Sequence, residues 1–387
     1  VVAIPTDSKR ALHVFELSSI AKIPFGFATN FCTMEIRFSV FIWKKYTILW
    51  YTFGMENKEQ IDFLAIGDLV VDDFIRLKDA TVNCDIDQEN CQLCVRFGDK
   101  VPFESSELLY AVGNSANAAV SAARLGLKSA LVAVVGNDLH GQGCIDALKN
   151  NNVSIDYVAK DPVLHTNYHY VLWYDVERTI LVNHALYERH MDMNMPEPKW
   201  IYLSSLASNT EKYHEEIAQY LEAHPNVKLA FQPGTFQILL GREKLAHFYA
   251  QTDIFFCNKE EAERILGIEE THIPILLDKI HELGPKMVVI TNGIEGAYVR
   301  KEDGSKLFMP VFPHKPYERT GAGDSFSSTF AVCIAKGMSV EDALLRAPIN
   351  AMSVTQYVGA QKGLLTEEQI QEYLAKAPED YKPMPLI

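Results

Sequence analysis

From residue 61 onward the chain alternates short apolar runs with polar turns and segments of helical spacing. Phe63-Leu64-Ala65-Ile66-Gly67 is an apolar run closed by glycine, which reads as a buried strand. Ala130 to Val135, Trp200 to Leu203, Lys228 to Phe231, Ile254 to Cys257 and Met287 to Thr291 read the same way. Helical spacing covers Gly113 to Gly126, Glu211 to Ala223, Lys259 to Leu266, Phe326 to Ile334, Val340 to Met352 (across Pro348) and Glu367 to Ala375. Strands alternating with helices imply a parallel sheet covered on both faces. Two regions break the rhythm. Residues 73–111 carry short alternating pieces without a long helix, and Tyr168 to Tyr174 with Thr179 to Val182 read as a hairpin. They predict a small β lid from about 73–111 and 166–183, able to cover a pocket or to pair two copies as a homodimer.

Residues 1–54 lack this organisation. Their apolar run is broken by Lys44-Lys45 and falls short of the ~20 residues that span a bilayer. Met55-Glu56-Asn57-Lys58 before the first strand looks like an ordinary enzyme start. The expectation is an upstream extension over 1–54 and one catalytic domain over 55–387.

Composition narrows the partners. A formal net charge of −14 repels nucleic acid and anionic membrane, so neither is expected as a main partner. Any phosphate site must be locally positive. Seven cysteines in a large chain without a secretory pattern read as reduced thiols in a cytoplasm. Cys84, Cys91 and Cys94 cluster, but no fourth ligand lies nearby in sequence for a zinc site.

The chemistry gathers at Thr320-Gly321-Ala322-Gly323-Asp324-Ser325-Phe326. Glycines permit a tight turn, and the first amides of the helix it opens suit an anion. Asp324 at that mouth could take a proton from an alcohol attacking a phosphate; the plain alternative is a capped helix with a glycine-rich lead-in. Asp72 follows the first strand, where ligands of open α/β sheets gather. Gly113 and Asn117 open a small-residue helix and could hold polyol oxygens. Asn258 and Glu261, three apart at a helix start, suit Mg²⁺ with its waters or form a simple cap. Thr291, Gly293 and Gly296 make a turn that could lie along a nucleotide. Tyr168, His169 and Tyr170 could stack on a sugar or base, or pack.

Together these stretches resemble the ribokinase-like (PfkB) family of sugar and nucleoside kinases, over roughly Asp62 to Leu365. Thr320 to Phe326 resembles the family's C-terminal signature, and Gly113 to Gly126 its N-terminal one, with Val112 in place of the first glycine and Asn114 where many sugar kinases have lysine. The resemblance implies a three-layer α/β/α sandwich with a mainly parallel sheet and a small β lid. It implies Asp324 as general base, Gly321, Ala322 and Gly323 as the anion hole, and Asp72, Gly113 and Asn117 as substrate contacts. Asn258, Glu261, Thr291, Gly293, Gly296 and Asn350 would serve ATP, with Mg²⁺ held through water by Glu261. Glu318 stands where the family often has a monovalent-cation aspartate, leaving K⁺ as an option. The expected reaction is transfer of the ATP γ-phosphoryl group to a hydroxyl of a sugar or sugar derivative. An adenosine- or inosine-type nucleoside is the second acceptor class, and an inactive nucleotide- or sugar-binding sensor the third reading.

The reading of residues 1–54 has a direct check. Mass spectrometry of the native protein is expected to find its N-terminus at Met55; peptides from before that residue would refute it.

Overall fold

A computed structural model describes residues 60–84, 91–175, 177–270 and 272–386. The expectations for 1–54 lie outside them. A central sheet runs in parallel through Ser129–Gly136, Phe63–Ile66, Trp200–Leu203, Lys228–Phe231, Ile254–Asn258 and Met287–Thr291. Its strands are short and almost wholly buried, as apolar runs covered on both faces must be. Three antiparallel strands extend one edge: Ala297–Arg300, Lys306–Met309 and Met384–Pro385. These were not expected from the sequence, being short and only half apolar.

Helices cover both faces. Asn114–Arg124, Leu139–Asn150, Ala322–Ala335 and Val340–Val354 bury their apolar sides against one, and Glu211–Ala223, Lys259–Leu266 and Ile273–His281 against the other. Pro348 is accommodated inside its helix. The small-residue run Ala116, Ala118, Ala119, Val120 and Ala122 is fully buried and lets its helix pack closely on Ala322–Ala335.

The lid is a separate four-stranded sheet in the order Glu177–Asn183, Asn167–Tyr174, Val70–Leu77, Phe103–Val112. Thr81–Asn83 and Gln92–Cys94 form a further hairpin beyond it. Its register sets Cys84 against Cys91, with Cα atoms 4.0 Å apart, and the two are joined as a disulfide. The expectation that all seven cysteines are reduced is thereby corrected, and the Cys84/Cys91/Cys94 cluster loses two thiols to one bond.

Phe330 anchors the layer behind the signature turn. It is fully buried, edge-on to Phe256 of the sheet at 5.8 Å and stacked on Phe326 at 6.3 Å. Phe330→Ala is expected to cost about 3–5 kcal/mol through lost burial and the cavity left. Urea unfolding measures it; a loss below about 1 kcal/mol would contradict this packing role.

Candidate active site

The signature turn is shaped by a steric demand. Gly321 caps the helix Ala322–Ala335 with φ +78°, and a Cβ there would lie 2.2 Å from the Cβ of Ala360. The turn therefore packs directly on the 359–360 loop. Nothing lies within 4 Å of a Cβ built on Gly323, so the ground over the first helical turn is open. Asp324 stands in that turn, where the helix dipole favours its charge.

Three side-chain amides from two segments, the start of the helix Asn114–Arg124 and the end of the strand Lys228–Phe231, converge on the Asp324 carboxylate. Asn114 Nδ2 donates to Oδ1 at 2.9 Å, Asn117 Nδ2 to Oδ2 at 2.9 Å, and Gln232 Nε2 to Oδ1 at 3.3 Å. Burial pushes Asp324 above the usual carboxylate range; Asn117, Gln232, the Arg178 guanidinium and Asn114 pull against it. The amides are themselves held. Tyr202 donates its hydroxyl to Gln232 Oε1, and Gln361 Nε2 donates to Asn117 Oδ1 at 3.0 Å and to the Ala111 carbonyl at 2.6 Å. Gly113, at φ +110°, brings this helix start so close to strand one that a Cβ would meet the Asp68 carbonyl oxygen at 2.8 Å.

Asp72 is buried on the lid strand Val70–Leu77, and His169 Nδ1 lies 3.1 Å from its Oδ1. His169 Nε2 meets His184 Nε2 at 2.8 Å, and His184 Nδ1 lies 3.5 Å from Asp68 Oδ2. Tyr168, in contrast, bonds Asp73 at 3.1 Å and packs against Tyr170. Successive strand residues point to opposite faces. Of the three aromatics, His169 shares the face of Asp72, while Tyr168 and Tyr170 lie on the opposite face of the lid. Period-two alternation was the signal that could have shown this beforehand.

Asn258 and Glu261 form a complete capping box: Asn258 Oδ1 accepts from the Glu261 amide at 2.8 Å, and Glu261 Oε2 from the Asn258 amide at 2.9 Å. That leaves Glu261 Oε1 outside the box. Burial raises the Glu261 pKa, and Asp324 is close enough to raise it further. Thr291 is the register partner of Asn258 at the next strand end; the exposed Gly293 opens a short turn that the buried Gly296 closes.

Asn350 and Glu318 both engage their side chains within the protein. Asn350 is fully buried, donating to Thr329 Oγ1 at 2.7 Å and accepting from the Leu365 amide at 2.9 Å. Both ends of its amide join protein elements, which makes it a strut between the helix Ala322–Ala335 and the segment at Leu365. Glu318 Oε1 accepts from the Thr320 amide at 2.8 Å and its hydroxyl at 2.5 Å, with Arg178 Nη1 at 4.0 Å. A carboxylate surrounded by donors and facing a guanidinium does not fit K⁺. Arg319 is exposed and pairs with Glu177 of the lid at 3.1 Å.

Gln232, Gln361 and Arg178 escaped the sequence reading. Gln232 directly follows a strand, at the carboxyl end where ligands collect, and could have been found by that rule. Gln361 and Arg178 carry no local signal.

A family model described as pfkB family carbohydrate kinase matches residues 79–367. The chain is 31% identical over 273 residues to the ribokinase of Bacillus subtilis (strain 168), covering 68% of this chain and 87% of that protein. It is 25% identical over 269 residues to a nucleoside kinase of Methanocaldococcus jannaschii, covering 69% and 86%. Among solved structures it resembles Arabidopsis thaliana ribokinase complexed with ribose and ATP, with TM-score 0.67 and 21% identity, covering 81% of this chain and 99% of that one. That likeness establishes the ribokinase fold with its separate lid sheet.

The histidine pair makes a pH prediction. Burial, with His169 and Arg189 beside it, holds His184 down at about 4, against an ordinary 6.5. Asp68 and Phe236 complete its surroundings. Between those values the unfolded chain carries the extra proton, so stability falls as pH drops from 6.5 toward 4. Thermal unfolding across that range is expected to show the fall, and His184→Asn to flatten it; an unchanged slope would reject this assignment.

Proposed function

The chain belongs to the pfkB family of carbohydrate kinases, and from that membership we propose an ATP-dependent kinase that phosphorylates a hydroxyl of a sugar or sugar derivative, with Asp324 as its general base. Family membership makes it a phosphotransferase with an alcohol group as acceptor. The observation that carries the base assignment is the convergence of Asn114, Asn117 and Gln232 on one carboxylate at the open mouth of a helix.

In this reading Asp324 accepts the hydroxyl proton as the oxygen attacks. A carboxylate raised by burial is a better base than a solvated one. The amides fix its direction, which is worth as much as its basicity. The backbone of Gly321, Ala322 and Gly323 and the helix dipole face the charge that develops on the moving phosphoryl group. Asp72, Gly113 and Asn117 hold acceptor oxygens, with His169 orienting Asp72. Thr291, Gly293 and Gly296 lie along the nucleotide. The hard oxygens of Asn258 and Glu261 fit Mg²⁺ through its waters, and such an ion would neutralise phosphate charge. Arg178 adds a cation from the lid side, which a chain of net charge −14 needs near a polyphosphate.

We place the kinase domain at 55–387, with the lid strands as its cover. The edge strand Glu177–Asn183 exposes Ile180, Leu181 and Val182, which suits a homodimer through the lid. A nucleoside acceptor is the second reading, on the similarity to the archaeal nucleoside kinase.

ADP release with ATP and Mg²⁺, against a panel of sugars, sugar phosphates and nucleosides, is the test. Turnover is expected on a sugar, with kcat down about 10²–10⁴-fold in Asp324→Asn while acceptor binding persists. Near-normal turnover in that variant would refute the base. Turnover on nucleosides alone would select the second reading, and none on any acceptor would favour a sensor.

A further inference from the structure

The far end of the lid is fastened to Tyr317, Glu318 and Arg319, the residues that lead into the signature turn. Arg76, Trp173 and Arg178 form one cross-strand row on the lid, as register partners on three neighbouring strands. Arg76 lies over the Trp173 ring at 4.5 Å and donates from Nη1 to the Tyr317 hydroxyl at 3.0 Å. Tyr317 meets the buried Trp173 edge-on, with ring centroids 5.3 Å apart. Arg178 Nη1 stands 4.0 Å from Glu318 Oε1, and Glu177 holds Arg319 at 3.1 Å. An aromatic contact, a cation over a ring and two ion pairs thus meet on three consecutive residues.

From Glu318 the contacts continue into the turn. Its side chain is 1% exposed, and a buried carboxylate must find donors and a countercharge. Oε1 accepts from the Thr320 amide and hydroxyl, and Oε2 from the Gly359 amide at 3.4 Å. Arg178 brings the countercharge from the lid. The backbone here is fixed to the core, since the Tyr317 and Glu318 amides donate to the Thr355 carbonyl at 2.8 and 3.1 Å. The lid therefore acts on the side chain of Glu318 rather than on its backbone.

Gly359 and Ala360 stand between the lid and the turn. A Cβ on Gly359 would lie 2.1 Å from Leu109 Cδ1 of the lid, and Ala360 is the residue on which Gly321 packs. We infer that Glu318 is a positioning residue for phosphoryl transfer: engaged by the lid through Arg178, beside the Tyr317 contacts, it holds Thr320 and the 359–360 loop in place against Gly321 and so sets the amides of the signature turn. The inference rests on the reading of that turn as the anion hole.

Hydrogen exchange followed by mass spectrometry, run beside the ADP-release assay on the full-length protein, tests it with Tyr317→Ala, Tyr317→Phe and Glu318→Gln. Tyr317→Ala and Glu318→Gln are expected to speed exchange over residues 320–325 about tenfold or more, while Ile254–Asn258 of the central sheet keeps its rate. In the same two variants kcat is expected to fall about tenfold or more with both KM values within about threefold, the mark of lost aim rather than lost binding. Tyr317→Phe keeps the ring on Trp173 and is expected between the wild type and Tyr317→Ala in both readouts. Unchanged exchange over 320–325 while the lid strands loosen, or an unchanged kcat in Tyr317→Ala, would overturn the proposal. If Glu318→Gln does not fold, Tyr317→Ala decides, because Tyr317 is 47% exposed. If the wild type turns over no acceptor, the kinase reading fails and exchange alone decides the coupling.

Discussion

A single carboxylate held by three amides is the contact on which the site depends. Asp324 stands where burial would neutralise it and where a helix start would otherwise attract an external anion. Asn114, Asn117 and Gln232 oppose that neutralisation and fix its direction. The amides come from two parts of the fold: two from the start of a small-residue helix, one from the end of a parallel strand. The close packing of that helix on Ala322–Ala335 is what brings Asn114 and Asn117 within reach, so the alanine-rich core and the hold on Asp324 are one construction.

The scaffold was largely legible because its signals are local. Helix limits at Glu211–Ala223 and Lys259–Leu266 follow the apolar period, and parallel strands announce themselves as short buried runs. The signature turn was legible for the same reason, since glycines beside an acid at a helix start report on their own backbone. Asn258 and Glu261 show the limit of such signals. A cap and a ligand pair have the same spacing, and the structure forms the cap while leaving one carboxylate oxygen outside it.

What was illegible is what topology assembles. Gln232 reaches Asp324 across 92 residues and Gln361 reaches Asn117 across 244, distances over which no periodicity carries information. An asparagine on a helix does not say which way it faces; Asn350 bridges Thr329 and Leu365 in the interior. The disulfide between Cys84 and Cys91 was missed because it rests on the register of a hairpin whose strands are three residues long.

Gln361 ties the helix of Asn117 to the lid. Its amide bonds both Asn117, which aims the base, and the carbonyl of Ala111, in the last turn of lid strand before the core. The aim of Asp324 is thereby tied to where the root of the lid stands. If Asp324 is the base we propose, a shift at the root of the lid reaches it through Gln361 and Asn117.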